Sequence, residues 1–183
     1  MVRATAVTAE IVRAAADGDR EAFESLVRGH IDAVYAHAYR FFGDRTTAED
    51  ATQEVWIKVF RSLAEFDGRS AFSTWLFRVT RNVCLDMVRR GRRIAPPIDP
   101  IDLKGTSLDD TAGEASSAVD LERAMRSLAP EDRDAFGAVA LFGLTYIEAG
   151  EVLGVPSGTV KSRVFRARRS LITSMGLESK GGA

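Results

Sequence analysis

The stretch Leu153-Gly154-Val155-Pro156-Ser157-Gly158-Thr159-Val160-Lys161-Ser162-Arg163-Val164-Phe165-Arg166-Ala167-Arg168-Arg169 decides the fold of the C-terminal part of this chain. Gly154 and Pro156 mark a tight turn, because glycine ends helices and proline cannot continue one. Beyond the turn, Val160, Val164, Ala167 and Leu171 recur at spacings of three and four, the period of a helix with one buried face. The opposite face carries Ser162, Phe165, Arg166 and Arg169, with Lys161 at its edge. Segments 131–142, 145–153 and 157–173 therefore read as three helices with short joins, the last two a supporting helix and a recognition helix. A merely solvated face has no need of Phe165. In a major groove, Arg reads guanine edges, apolar groups meet thymine methyls and other cations hold phosphates.

Working outward, the rest of the chain is also helical, with no period-2 strand. A short helix is expected from about Thr8, as N-cap, to Gly18. A longer one follows Asp19, with Phe23, Leu26, Val27, Ile31, Val34, Tyr35, Ala38 and Phe41 in helical register, and breaks at Gly43-Asp44. Thr47-Ala48-Glu49-Asp50 reads as a capping box. It opens a helix with Ala51, Val55, Val59 and Leu63 on one face and Trp56 and Phe60 beside them. After a turn at Phe66-Asp67-Gly68, a helix runs from about Ser70 to Arg90. At 100° per residue, Phe72, Leu76, Val79 and Val83 make one apolar stripe, and Phe77, Cys84 and Val88 a second. Arg78, Arg81, Asn82, Arg89 and Arg92 share the remaining sector. A helix with two apolar faces is clasped by neighbours, and this one keeps a basic face outward.

Ala95-Pro96-Pro97-Ile98-Asp99-Pro100 cannot sustain a helix. The acidic, Gly- and Ser-rich stretch to about Ser117 reads as a flexible tether, and helical pattern resumes from Val119. The expected fold is all-α, with two small helical domains. An N-terminal helical bundle over 19–93 and a C-terminal helix-turn-helix domain over 119–175 are joined by a flexible acidic linker, 94–118. Residues 1–18 form an N-terminal tail or short helix, and 176–183 a flexible tail.

The 183 residues, 45% hydrophobic and 28% charged, exclude a mostly disordered chain or a collagen-like repeat. Charges interrupt every apolar run, so no membrane insertion is expected, and the N-terminus lacks the apolar core of a signal peptide. The expected location is cytoplasmic. The net charge of −1 hides local fields. From Arg61 to Arg93 eight arginines face three acids, from Ile94 to Glu122 seven acids face one lysine, and Pro156–Leu171 holds five cations and no acid. Such fields are what a polyanion feels. Cys84 is the only cysteine, which excludes an intrachain disulfide or a cysteine metal site. His30 and His37, seven residues apart, would need carboxylates to complete a metal site and read as surface or boundary residues. No paired carboxylates, phosphate-cradling glycine loop or nucleophile–base set appears, so neither an enzyme nor a cofactor or metal is expected.

Three segments together resemble bacterial RNA polymerase sigma factors of the extracytoplasmic-function (ECF) group, in the sigma-70 family. Asp50-Ala-Thr-Gln-Glu-Val-Trp56 is similar to the core-binding helix of the family's region two. Phe72 to Arg90 resembles its promoter-melting and −10-reading helix. Gly158-Thr-Val-Lys-Ser-Arg163 with Phe165-Arg-Ala-Arg168 resembles the recognition helix of region four. The resemblance implies a dissociable specificity subunit without catalytic residues, whose partners are core RNA polymerase, promoter DNA and an anti-sigma protein. It implies polymerase contacts at Asp50, Gln53, Glu54 and Trp56. The −10 contacts would come from Arg61, Phe66, Arg69, Ser70, Trp75, Arg78, Asn82 and Arg89. The −35 contacts would come from Ser157, Thr159, Lys161, Ser162, Arg163, Phe165, Arg166 and Arg169. Arg166, at the centre of the exposed sector, is expected to read bases. One departure is Glu148-Ala149-Gly150, where the family usually has Glu-Ile-Ala. Gly150 costs about 1 kcal/mol of helix propensity relative to Ala, and the small pair permits closer packing. The rival reading is a stand-alone helix-turn-helix regulator with an N-terminal ligand-binding or dimerisation module. The Arg-rich 61–93 segment argues against it, because a dimer surface is more apolar.

Overall fold

A computed structural model describes residues 9–94 and 128–174, and all regular elements among them are helical. In chain order these are α1 (Ala9–Ala16), α2 (Arg20–Phe42), α3 (Arg45–Ser62) with a 3-10 turn over Leu63–Glu65, and α4 (Phe72–Ile94). Then follow α5 (Pro130–Ala140), α6 (Tyr146–Leu153) and α7 (Ser157–Ser174). The first four helices form one bundle and the last three the helix-turn-helix unit, as the apolar periodicity predicts. The Thr8 cap, most of the linker, the helix from Val119 and the C-terminal tail lie outside the described residues.

The caps explain where the helices begin. The Asp19 carboxylate accepts the Ala22 amide at 3.0 Å and opens α2. The expected capping box at Thr47 is not what starts α3. Asp44 caps it instead, accepting both the Thr47 amide (2.7 Å) and the Thr47 hydroxyl (2.6 Å), so the helix begins at Arg45. A carboxylate three residues before the expected cap takes both donors at once and meets the positive helix end, and the hydroxyl cannot compete. A capping box does open α6. Thr145 Oγ1 accepts the Glu148 amide at 3.2 Å, and the Glu148 carboxylate accepts the Thr145 amide at 2.8 Å. These bonds hold the Glu148 carboxyl below the usual carboxylate range.

The clasp predicted for α4 is present. Phe72, Leu76, Val79 and Val83 are buried against the first bundle, and Phe77 and Cys84 are buried on the second strip. Ala38, Ala48 and Ala51 let α2, α3 and α4 meet closely around Cys84. Burial pushes the Cys84 thiol up to about 12, so it stays protonated and unreactive.

The second clasping neighbour is the helix-turn-helix unit. The Phe77 and Phe142 rings lie 5.2 Å apart, and His37 sits 5.3 Å from Phe77 and 6.0 Å from Phe142. Around these rings, Arg81 Nε donates to Asp134 Oδ2 at 2.7 Å and Thr74 Oγ1 donates to Glu148 Oε1 at 3.2 Å. Arg133 Nη1 donates to the Arg40 carbonyl at 2.9 Å. Arg81, expected on the outward basic face, is therefore turned into this seam, because its carboxylate partner comes from the other bundle. The two bundles share one continuous core.

Within α6, Gly150 shows why the small pair is there. A Cβ at that position would lie 2.7 Å from the Val155 carbonyl oxygen, on the backbone that turns into α7. The Val155 amide donates back to the Gly150 carbonyl at 3.0 Å, so the turn cannot simply move away. Gly150→Ala should therefore lower the melting temperature. The helix-propensity gain of about 1 kcal/mol is outweighed by an overpacking cost of about 1–3 kcal/mol. An unchanged or higher melting temperature would show that the turn has room.

Burial pushes the His37 imidazole down to about 4, with Asp134 opposing and Arg40, Arg81 and Arg133 reinforcing the shift. Its Nε2 has no hydrogen-bond partner. The folded protein thus refuses a proton that the unfolded chain accepts near pH 6.5. Stability is complete above that pH and falls as pH drops toward about 4, by up to about 3 kcal/mol. The parent melting temperature should fall more between pH 7 and 5 than that of His37→Leu. Parallel pH dependences of the two proteins would contradict the assignment.

Candidate nucleic-acid interface

Three exposed surfaces collect the residues singled out in the sequence. The first is α7. Its buried face is Val160, Val164, Ala167 and Leu171, as expected from the periodicity. Leu128 and Phe136 complete the packing around Ala167 and Leu171. This packing turns Ser157, Lys161, Ser162, Phe165, Arg166 and Arg169 to the outside, with Thr159 and Arg163 half-buried at the edges. Phe165 is 65% exposed. Ser162 Oγ donates to the Thr159 carbonyl at 2.9 Å. Arg166 is bound within the unit, donating from Nε to Asp132 Oδ2 at 3.0 Å and from Nη2 to Asp132 Oδ1 at 2.6 Å. That hydrogen bonding holds the guanidinium above its ordinary range.

The second surface lies on the first bundle. A cleft of about 770 Å³ opens between α1 with the turn after it, which contribute Val12, Arg13 and Asp17, and the segment from Ala64 to Phe72. Phe66, Phe72 and Trp75 form one aromatic group along it, with ring separations of 5.4 Å for Phe66–Trp75 and 5.8 Å for Phe72–Trp75. Asp67 shapes the loop by accepting the Arg69 amide at 3.0 Å and pairing with the Arg69 guanidinium at 3.1 Å. Ser70 lines the same cleft. Arg78 and Asn82 stand exposed one turn apart on α4, and Arg89, two turns further, pairs with Asp86 at 3.3 Å. Arg61 is set apart from this group, on the outer face of α3 one turn from Ile57.

The third surface is the outer face of α3. Asp50 and Gln53 are exposed there, while Glu54 is half-buried and ion-paired with Arg90 of α4. Trp56 is also half-buried, in an edge contact with Phe23 at 6.3 Å. Ile57 (51% exposed) and Phe60 (70% exposed) share the outer face instead. The signal for both was present in the sequence, as apolar residues off the Ala51/Val55/Val59 face of a short helix.

The histidines do not form a common site. His37 is in the core, and His30 is half-buried with Nδ1 3.0 Å from the Leu26 carbonyl and its ring 5.2 Å from Phe72. Burial lowers the His30 pKa, partly offset by that carbonyl. Among the described residues no group of three His, Cys, Asp or Glu could hold a metal ion, and no helix is long and apolar enough to cross a membrane.

An aromatic-lined cleft beside a basic helix, joined to a helix-turn-helix with an acid-free outer face, matches two family descriptions. Residues 26–94 match Sigma-70 region 2, and residues 118–171 match Sigma-70 region 4. The chain is similar to the ECF RNA polymerase sigma factor SigE of Mycolicibacterium smegmatis, at 43% identity over 164 residues, covering 85% of this chain and 63% of that protein. It is likewise similar to the ECF RNA polymerase sigma factor SigM of Mycobacterium tuberculosis, at 35% identity over 173 residues, covering 94% of this chain and 87% of that one. Among solved structures, the sigma factor RpoE of Bartonella quintana, in complex with the anti-sigma factor NepR, has the same fold. Its TM-score is 0.71 at 24% identity, covering 86% of this chain and 98% of that one. With both regions matched in order and the SigM relative aligned over nearly its whole length, the chain belongs to the ECF sigma factors of the sigma-70 family.

Proposed function

We propose that this chain is a promoter-specificity subunit. Its first bundle binds core RNA polymerase and opens the −10 element, its second bundle reads the −35 element as duplex, and an anti-sigma protein restrains it. It works in the cytoplasm and carries no catalytic groups of its own. The observation that carries this reading is the outer face of α7, where Phe165, a hydroxyl and several cations stand together on a helix with no acid of its own. Family membership supports the polymerase and anti-sigma partners.

The chemistry of each surface fits its part. On α7, Arg166 reads a base edge while Lys161, Arg163 and Arg169 hold phosphates, and Phe165 meets an apolar edge. Opening a duplex requires catching an unstacked base, at a cost of a few kcal/mol. The cleft along Phe66 and Ser70, with Arg69 at its rim, offers stacking and a cationic approach. Arg78, Asn82 and Arg89 then track the strand leading away along α4, assisted by Trp75 holding Phe66 in place. On α3, Asp50, Gln53 and Glu54 offer polar contacts to the polymerase around the exposed Ile57 and Phe60. Run-off transcription with purified core polymerase over a promoter library tests the whole reading, and a chain that fails to stimulate initiation on any promoter contradicts it.

Two substitutions test the division of labour. Glu54→Lys reverses a charge on the polymerase face and removes the exposed Arg90 pair, whose loss alone costs under about 1 kcal/mol. It should weaken core association about tenfold or more while the protein stays folded, as read by pull-down titration. Unchanged core affinity would remove Glu54 from the contact. Asn82→Ala should leave core binding intact and reduce permanganate reactivity of the −10 bubble. A normal bubble in that variant would place strand capture elsewhere.

A further inference from the structure

Five cations lie on the α7 segment from Lys161 to Arg169, and among the described residues only Arg166 is tied to a carboxylate. The tie is one-sided in its exposure. The Arg166 side chain is 56% exposed, whereas that of Asp132 is 9% exposed. Asp132 lies in the first turn of α5, after Pro130 at the helix start, where the helix dipole favours a negative charge. A buried, helix-anchored carboxylate therefore grips a cation that reaches into solvent on another helix.

The edge that is gripped matters. Asp132 accepts from Nε and from Nη2, which is the side edge of the guanidinium. A guanidinium has five N–H donors in a rigid fork. With the side edge taken, the end edge, made of Nη1 and the second Nη2 hydrogen, keeps its donors on a side chain that is 56% exposed. That edge can donate two parallel hydrogen bonds, the requirement for reading guanine O6 and N7.

We propose that Asp132 is a positioning residue for −35 recognition, holding Arg166 by one edge so that its other edge is presented, pre-oriented, to a guanine. The inference rests on the reading of Arg166 as the base reader. Asp132 does not touch DNA in this arrangement; it sets the direction of the group that does. Pre-orienting a long side chain removes the ordering cost from the binding step and gives one geometry instead of many.

The test is transcription by the full chain with core polymerase from a library saturated at the −35 element, with melting temperatures recorded for each variant. Arg166→Ala should flatten the preference for guanine at one position by about tenfold, the range of a bidentate contact. Asp132→Asn should flatten the same position by a comparable factor, and the double variant should add nothing to either. Arg166→Lys leaves Asp132 untouched and keeps the charge but has no second edge. It should flatten that position by a comparable factor, read from the base profile and not from total output, so the proposal stays testable even where Asp132→Asn folds poorly. If Arg166→Ala flattens a position and either Asp132→Asn or Arg166→Lys keeps the parent profile, positioning by Asp132 is overturned while Arg166 remains the reader. If Arg166→Ala itself keeps the parent profile, the base-reading assignment fails and the positioning role falls with it.

Discussion

The two apolar strips of α4 are the constraint around which the molecule is arranged. One strip, Phe72, Leu76, Val79 and Val83, closes the first bundle, and the other, led by Phe77, needs a second partner to leave water. Each such side chain contributes roughly 1.5–3 kcal/mol when fully buried, so neither strip is left exposed. The second partner is the ring of Phe142, with His37 completing the seam. Only one sector of α4 remains for solvent, and it holds Arg78, Asn82 and Arg89. Packing thus selects the face available to a polyanion before any charge is considered.

The polar side of the seam is less favourable than the apolar side. Burial lowers the Arg40 and Arg133 pKa values, a measure of the desolvation these cations undergo, and His37 is held neutral. Asp134 answers Arg81 directly, and Glu148 answers Thr74. Taking charges out of water offsets much of what a partly buried pair returns. Rings and methyl groups therefore hold the two bundles together, and the ion pair sets their register. Arg81 is drawn into this register while its neighbours Arg78 and Asn82 stay outside, so residues within one turn of one helix meet different surroundings.

The recognition helix is held by a different economy of space. Gly150 lets the backbone at Val155 approach α6 at a distance that no side chain permits, and Thr145 and Glu148 fix the start of the same helix. The helix-propensity cost of Gly150 is the local price of that approach. With the turn fixed, Val160 and Val164 are buried and Phe165 and Arg166 face outward. The orientation of the reading face follows from one short backbone contact and two interlocking caps.

What the sequence by itself determined was everything that depends on position along one helix. The buried Val160, Val164, Ala167 and Leu171, the exposed Ser162, Phe165 and Arg169, and the doubly apolar α4 were all legible, because helical period alone assigns residues to faces. Family resemblance added roles to those faces. The cap falls on Asp44 and not on Thr47 because several residues around the start of α3 can accept a hydrogen bond, and only backbone geometry chooses between them. Phe60 was legible as lying beside the buried face, but its exposure was not, because a half-apolar helix does not show which flank its neighbours cover. The tertiary structure alone decided the pairings across helices. Arg81 meets Asp134 and Arg166 meets Asp132 across separations of 53 and 34 residues. Those partners are chosen by how helices lie against one another, which depends on the fit of all the buried side chains together and is recorded in no single segment.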